Sequence, residues 1–204
     1  VDSVRDEEDD QYLYWFSADD SVRNWLWDIN RVGDLMVTVG DHATVLTSHD
    51  GASWNLEVVP ESATESILLG VGGTTNLLVA VGNHGQLLTS HNSWTNVVTQ
   101  NDLGQAVTNK VNTLGVVWEV ADPKPTENDL QGVAALGEMC VVTGGKGTVL
   151  TTSDGKQWSK HQAPTTGILT SVEAFNGRFV ATGEDGVILT SPNGADWIRQ
   201  TSGT

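Results

Sequence analysis

The sequence predicts an all-β protein made of repeated four-stranded antiparallel sheets, and three observations support this fold class. Tryptophan recurs at intervals of about 40 residues, a period typical of radially arranged blades. Each interval contains short segments rich in Val, Ile, Leu and Thr, bounded by Gly, Asn or Asp, which favours strands joined by tight turns. One stretch also recurs in register, and its clearest copy runs from Phe179 to Trp197. An up-and-down sheet repeated at this period indicates a β-propeller.

Residues 12–204 are predicted to form a single propeller domain, preceded by a flexible acidic leader at residues 1–11. The leader is rich in carboxylates and has no apolar pattern, which is typical of a solvated segment. Trp15 occupies the position of a tryptophan that ends a blade, so its strand could complete the degenerate blade, close the ring or belong to a preceding blade of a longer protein. Each repeated unit is predicted to end at a tryptophan: Trp54, Trp94, Trp118, Trp158 and Trp197.

Four of the units have room for four strands each. In the first unit we expect strands at about Leu26–Arg31, Leu35–Val39, Thr44–Ser48 and Trp54–Val59. The second strand of every unit is almost continuously apolar, as expected for a strand covered on both faces by neighbouring sheets. In the second unit the same scheme places the fourth strand at Trp94–Val98.

The third unit departs from this pattern. Only 24 residues separate Trp94 from Trp118, against 39 or 40 elsewhere, and the strand ending in Val-Gly is missing. Gly115 still lies three places before Trp118, as in the complete units. We therefore expect four full blades plus one degenerate blade, about five in all. A closed five-unit ring is the first interpretation, and a piece of a larger propeller is the second.

Composition limits the classes of partner. The formal net charge is -16, which repels phosphate backbones and anionic lipid, so neither nucleic acid binding nor membrane insertion is expected. The acidity favours a soluble protein that is secreted, periplasmic or at the cell surface, or one that meets a basic partner. Cys140, the only cysteine, lies in an apolar run and is predicted to be a buried, inert thiol. No cofactor is predicted.

Three segments, Ser48–Trp54, Ser153–Trp158 and Ser191–Trp197, resemble the Asp-box repeat, also called the bacterial neuraminidase repeat. The preceding Val-Gly-x-x-Gly-x-Leu-Leu-Thr-Ser pattern is most similar to the photosystem II assembly-factor type of Asp-box propeller and its secreted bacterial relatives. The resemblance covers about four-fifths of the chain. It implies a β-propeller fold, and it implies a structural role for the motif.

Turn chemistry alone accounts for the residues of this motif. A short side-chain oxygen can accept bonds from nearby backbone N–H groups, the next glycine can take positive φ, and the tryptophan is expected to pack against the next sheet. At residues 91–94 both the aspartate and the glycine are missing, so that copy is degraded. The residues assigned to this structural role are Asp50, Gly51, Trp54, Asp154, Gly155, Trp158, Asn193, Gly194 and Trp197.

No catalytic residues are predicted. Sialidases with this repeat hold a substrate carboxylate with three arginines, and the arginines of this chain are not expected to converge. Paired carboxylates could act in glycoside hydrolysis, but turn positions in so acidic a chain favour exposed, solvated groups. The five arginines are Arg5, Arg23, Arg31, Arg178 and Arg199, and the carboxylates near inner-strand ends are Asp28, Asp34, Asp129 and Glu173.

The turns between second and third strands are the predicted binding face. In a propeller they lie on the same face as the connections between blades, where ligands usually bind. His42 and His84 occupy equivalent places in adjacent units, but such positions are too far apart to share a metal, so no metal site is predicted. The candidate residues are Asp41, His42, Asn83, His84, Lys146, Glu184 and Asp185.

These features predict a non-enzymatic binding or scaffolding propeller that presents its loops to a protein or glycan partner. One alternative is an accessory or partial domain of a secreted glycoside hydrolase. A further alternative is a structural subunit of an extracellular assembly, joined through the N-terminal strand or the degenerate blade.

Overall fold

The computed structural model describes residues 24–100, 103–201 and 203. The predicted leader and Trp15 lie outside these residues. The described part folds as β-strands joined by turns and short 3-10 segments, with no α-helix among these residues. The strands are β1 (Leu26–Val32), β2 (Leu35–Gly40), β3 (Val45–Ser48), β4 (Asn55–Leu56), β5 (Leu68–Thr74), β6 (Leu77–Gly82), β7 (Leu87–His91), β8 (Trp94–Gln100), β9 (Ala106–Asn112), β10 (Glu119–Val120), β11 (Leu130–Leu136), β12 (Met139–Gly144), β13 (Thr148–Thr152), β14 (Ser159–Gln162), β15 (Leu169–Phe175), β16 (Arg178–Gly183), β17 (Ile188–Ser191) and β18 (Ile198–Gln200).

These strands form four four-stranded antiparallel sheets and one two-stranded hairpin. Blade 1 contains β1 to β4, blade 3 contains β11 to β14, and blade 4 contains β15 to β18, each in chain order. Blade 2 contains β5, β6, β7 and β10. The prediction of an all-β fold with four full four-stranded blades is confirmed.

The blades are stacked in sequence order, and their apolar side chains meet between successive sheets. Inner strand β5 contacts both β1 and β11, and β11 also contacts β15. Val37 of blade 1 and Leu78 of blade 2 belong to one fully buried cluster. Val79 belongs to the next cluster, between blades 2 and 3, and Val141 and Phe179 to the third, between blades 3 and 4. Because side chains alternate across a strand, the second strands of blades 2 and 3 supply apolar residues to both neighbours.

The outward faces of the first and last blades are less covered. Ile29 on β1 is 53% exposed, and Phe175 on β15 is 65% exposed. Along β15 the exposed positions include Glu173, whereas Leu169 and Val172 are buried against blade 3. In the described part of the chain β1 and β15 share no contact comparable to those between successive inner strands, so these blades form an open arc.

The segment between Trp94 and Trp118 differs from the prediction. The expected fourth strand at Trp94–Val98 pairs with β9 instead of β7, and the two form a separate hairpin. The strand that completes blade 2 is β10, where Glu119 lies opposite Thr89. The predicted degenerate blade is therefore a hairpin inserted into blade 2, between its third and fourth strands. Because β10 pairs with β7, blade 2 has four strands like the other blades.

The insertion divides one repeat motif into two pieces that rejoin in space. In blade 1, Ser48 Oγ accepts a hydrogen bond from the Gly51 N–H at 2.9 Å. In blade 2, Ser90 Oγ accepts the equivalent bond from the Gly115 N–H at 2.8 Å, across the inserted hairpin. The Trp118 indole N–H then donates to the Gly115 carbonyl at 2.7 Å, and the ring is buried.

A backbone carbonyl replaces the carboxylate of this divided motif. In blade 1, Asp50 Oδ1 accepts bonds from two consecutive backbone N–H groups. In blade 2 the Thr113 carbonyl accepts the corresponding bonds from the N–H groups of Val116 and Val117, both at 3.0 Å. Ser90 Oγ also donates to this carbonyl, as Ser48 Oγ donates to the carboxylate in blade 1. The turn geometry is thus kept without an acidic side chain.

Candidate functional site

The three contiguous repeat motifs have their polar groups bound within the turn. Asp50 Oδ1 accepts from the Ala52 and Ser53 N–H groups at 2.8 and 2.7 Å. Asp154 Oδ1 makes the same pair of bonds in blade 3, and Asn193 Oδ1 makes them in blade 4. The Ser53 and Ala52 bonds hold the pKa of Asp50 well below its usual range, and equivalent bonds lower the pKa of Asp154. These carboxylates therefore stabilise turns.

In blades 3 and 4 the glycine and tryptophan of the motif pack against the preceding blade. The Trp197 indole N–H donates to the Gly194 carbonyl at 2.9 Å, and Trp158 donates to Gly155 at 3.1 Å. A Cβ added at Gly194 would lie 2.6 Å from Val141 Cγ2 of the preceding blade. Trp197 likewise packs in the cluster between blades 3 and 4. The sequence analysis predicted that the tryptophan ring packs against the next sheet. This prediction was wrong, because the turn folds over the sheet of the preceding blade and the ring packs there.

The four turns between second and third strands share one backbone conformation. Each has two consecutive residues at positive φ, and the first of each pair is His42 (54°), His84 (51°), Lys146 (56°) or Asp185 (55°). Turns with two positive φ values match the twist of the flanking strands. All four of these side chains are exposed. They are the outermost side chains of the predicted binding face, and they will be called the turn tips.

The residue before each turn tip has a different role. Asn83 Oδ1 accepts a bond from the Ile67 N–H at 2.9 Å, and Glu184 Oε2 accepts one from the Ile168 N–H at 2.9 Å. Both bonds fix the start of an inner strand. Asp41 Oδ1 accepts a bond from a tryptophan indole at the corresponding place in blade 1. Asn83 and Glu184 are therefore structural, whereas the turn tips are available to a partner.

A cleft between blades 3 and 4 lies beside two of the turn tips. It is open, has a volume of about 780 Å³, and runs along the connection formed by residues 162–167. Lys146, Glu184 and Asp185 line it, as predicted for the binding face, together with Arg199 of β18. Gln162 Nε2 donates to the Lys146 carbonyl at 2.8 Å and ties this connection to blade 3. The contribution of Arg199 was missed, because strand pairing decides which outer-strand residue reaches the cleft.

Three charged groups of this cleft have no partner among the described residues. The Lys146 ammonium, the Arg199 guanidinium and the Asp185 carboxylate make no hydrogen bond or ion pair there. Glu184 is already occupied by the Ile168 N–H. The cleft therefore offers two cations and two carboxylates to a ligand, although one oxygen of Glu184 is already bonded. Such an arrangement can hold a group that carries both signs of charge, or a carboxylate beside polar groups.

The inner-strand carboxylates are either bound to backbone N–H groups or exposed to solvent. Asp28 Oδ2 accepts from the Val71 N–H at 2.8 Å, and Asp129 Oδ1 accepts from the His84 N–H at 2.7 Å. Each of these bonds ties one blade to its neighbour. Asp34 is 95% exposed, and Glu173 faces solvent on the outer face of blade 4.

The same residues also bear on metal binding, thiol reactivity and membrane spanning. Within residues 24–100, 103–201 and 203, no group of three or more His, Cys, Asp and Glu side chains is arranged to hold a metal ion. Burial raises the pKa of the Cys140 thiol to about 12, and Glu138 adds to the rise, so the buried thiol stays protonated. No helix in this part of the chain has the length and apolarity needed to cross a bilayer.

Comparisons with known proteins show similarity in fold. No family model matches the chain, and no curated protein matches it. Among solved structures, YCF48 from Cyanidioschyzon merolae is 18% identical with a TM-score of 0.58, over 88% of this chain and 58% of that chain. A structure of YCF48 bound to D1 peptide is 15% identical with a TM-score of 0.40, over 88% and 67%. Virginiamycin B lyase from Staphylococcus aureus is 7% identical with a TM-score of 0.45, over 86% and 69%.

The chain thus spans less than two thirds of the first of these structures. The likeness to that structure agrees with the four stacked sheets, their shared turns and their interleaved apolar clusters. In fold, this chain is a β-propeller.

Proposed function

We propose that this protein is a non-enzymatic binding propeller that engages a protein partner through the face carrying the turn tips. The observation that supports this most directly is the cleft between blades 3 and 4. There Lys146, Arg199 and Asp185 surround about 780 Å³ of open space without partners among the described residues. By contrast, Asn83 and Glu184, which precede two of the tips, each accept a bond from a backbone N–H group. Charge left unpaired beside a cleft is the expected arrangement for a ligand-binding surface.

A polypeptide fits this cleft better than a neutral sugar does. The two cations can bind a carboxylate, and the Asp185 carboxylate can bind a lysine, an arginine or an N-terminal amine. A peptide segment carries such groups at fixed spacing, together with backbone donors and acceptors. A glycan partner remains the second candidate of the sequence prediction, and the experiment below includes it.

We further propose that the chain belongs to the Asp-box class of propellers. Three turns with the same side-chain bonds support this, together with a fourth assembled from Ser90 and Gly115. A secreted, periplasmic or cell-surface location stays a prediction that depends on the net charge of -16 and on that resemblance.

Selection of displayed peptides on the immobilised protein tests the proposed function. Selected peptides should bind the wild type and lose about 10-fold or more in affinity for Lys146→Ala/Arg199→Ala, because each charge-assisted bond contributes about 1.5–3 kcal/mol. The matched control is Lys156→Ala/Arg178→Ala, which removes two exposed cations that do not line the cleft. Peptides that bind all three proteins equally would contradict the proposal. Binding of an oligosaccharide panel through Lys146 and Arg199, with no peptide selected, would replace the protein partner by a glycan.

A further inference from the structure

Two tryptophans lie uncovered at the start of the first inner strand. Trp25 is 68% exposed and Trp27 is 47% exposed, and their ring centroids are 5.4 Å apart at an interplanar angle of 48°. Large aromatic side chains are usually buried, and an exposed pair is a feature of binding surfaces. The outward face of blade 1 has no neighbouring blade among the described residues, and both indoles are largely exposed there.

The backbone and one carboxylate fix this pair in position. The register of β1 on β2 passes from Leu26 to Asp28, so Trp27 is the extra residue of a β-bulge. Bulges redirect a side chain out of the regular alternation. The Trp27 indole N–H donates to Asp41 Oδ1 at 2.7 Å, and the Asp41 N–H donates to the Trp25 carbonyl at 2.9 Å. The Trp27 ring and the Trp25 backbone are therefore held against one turn, and Asp41 Oδ2 has no bond within the described residues.

The blade that carries the pair, with its connection to blade 2, is acidic. Residues 24–67 contain seven carboxylates against a single arginine, Arg31. The face of an indole also attracts cations through its quadrupole. A like-charged second copy of this chain would be repelled, since each copy carries a formal net charge of -16. Charge complementarity therefore selects a cationic partner for an otherwise apolar surface.

We propose that Trp25, Trp27 and Asp41 form a docking site for a lysine or arginine side chain of a basic polypeptide segment. The cationic head packs against the exposed indole surface of the pair, since ring centroids 5.4 Å apart leave no room for it between the rings, and Asp41 Oδ2 accepts one of its N–H groups. This site takes a cation only, whereas the cleft between blades 3 and 4 offers groups of both charges. It takes from the proposed function only that the protein binds a polypeptide.

Calorimetric titration with oligolysine and oligoarginine peptides tests the site, with oligoglutamate as the reference peptide. Removing either indole, in Trp25→Ala or Trp27→Ala, should weaken binding about 2- to 5-fold, which corresponds to about 0.5–1 kcal/mol for an exposed cation–π contact. The double variant should weaken it about 5- to 30-fold by the same reasoning. Asp41→Asn should also weaken binding, and it should reduce the dependence on salt because one charge pair is lost. Trp25→Phe/Trp27→Phe should give an intermediate affinity, and circular dichroism of every variant reports on folding.

The control variant is Trp94→Ala, which removes a 64% exposed tryptophan from the inserted hairpin and should leave binding unchanged. Equal binding of the basic peptides to wild type and to Trp25→Ala/Trp27→Ala would overturn the site, because the net negative charge of the protein would then be enough to explain the binding. The site would also be overturned if the double variant lost oligosaccharide binding but kept peptide binding. A concentration-dependent dimer of the wild type that the double variant abolishes would overturn it as well.

The two proposals fail separately. Lys146→Ala/Arg199→Ala should keep full affinity for the basic peptides, since neither residue contributes to the indole pair. Basic peptides that bind through Trp25 and Trp27, while selected peptides ignore the cleft, would leave this site standing and remove the proposed function. If selected peptides bind through the cleft, while basic peptides bind independently of Trp25 and Trp27, the indole site is contradicted and the proposed function stands.

Discussion

Excision of the inserted hairpin should leave the propeller folded. The change deletes residues 92–113 and replaces Leu114→Asp, so that Ser90 and His91 are followed directly by an aspartate and Gly115. Blade 2 then carries the same contiguous motif as blade 1, Ser-His-Asp-Gly. The new carboxylate should accept the two N–H bonds that now go to the Thr113 carbonyl. Strand β10 keeps its place beside β7.

The expected change in the free energy of unfolding is small, because two effects offset each other. Shortening the connection between Ser90 and Gly115 from about 24 residues to 2 gains about 2 kcal/mol in loop-closure entropy. Leu114 is half-buried against the cluster between blades 1 and 2, and its loss costs about 1 kcal/mol. The exposed bond from Asn92 to the Thr75 carbonyl contributes about 0.5 kcal/mol at most. We expect the variant to be as stable as the wild type, or more stable by about 1 kcal/mol.

Urea denaturation followed by tryptophan fluorescence and circular dichroism measures this change. A control in the shortened background is Trp118→Ala, which removes a buried ring and should cost about 3–5 kcal/mol. A loss of about 3 kcal/mol or more on excision alone would refute the reasoning. It would mean that β8 or β9 belongs to the core of a blade, as the sequence prediction held.

Three further predictions concern the described blades. Acidification below the ordinary aspartate pKa should remove the stability that depends on Asp50, because the pKa of this carboxyl is depressed in the folded state. The loss continues until the pH has fallen through the folded-state pKa. Asp50→Asn, which copies the motif of blade 4, should make urea midpoints less sensitive to pH in this range. Gly85→Ala should cost clearly more than Gly177→Ala in urea denaturation, since both glycines have positive φ but only at Gly85 would a Cβ overlap a backbone carbonyl; equal costs would exclude the overlap. Phe179→Ala should lower the free energy of unfolding by about 3–5 kcal/mol and Phe175→Ala by under about 1 kcal/mol, because only Phe179 is buried, and similar losses would contradict the packing between blades 3 and 4.

The sheets could be predicted from sequence because their signals are local and repeated. Apolar runs such as Leu77–Val81 end in a Val-Gly pair and a turn, and the same order returns in each blade. Each such run became the second strand of a sheet, close to the expected bounds. Two-sided burial of these strands follows from stacking, which the period itself indicates.

The inserted hairpin could not be recognised from tryptophan spacing. Trp94 lies 40 residues after Trp54, and this interval suggested the end of a blade. Its ring is instead 64% exposed on the hairpin. The signal that identifies the true position was Gly115 three places before Trp118, but Ser90, which completes the motif, is separated from it by the insertion. Only strand pairing brings the two parts together.

The candidate binding face was predicted in outline, and its chemistry depends on tertiary contacts. Sequence placed Asn83 and His84 together in one turn, yet Asn83 binds the Ile67 N–H whereas the His84 side chain is exposed. Arg199 reaches the cleft because β18 lies beside β17, which no local pattern encodes. Trp25 stands out only once its exposure is known, since an aromatic residue at a strand start is usually covered.

Residue-specific amide hydrogen exchange tests the strand order of blade 2 most directly. The Ala121 N–H donates to the Leu87 carbonyl at 3.0 Å, next to the pairing of β10 with β7, and should exchange as slowly as the amides of β6. Amides of β8 and β9 should exchange much faster, because an isolated two-stranded hairpin opens without unfolding the blades. Slow exchange throughout β8, together with rapid exchange at residues 119 to 121, would contradict the strand order in which β10 completes blade 2 after the inserted hairpin.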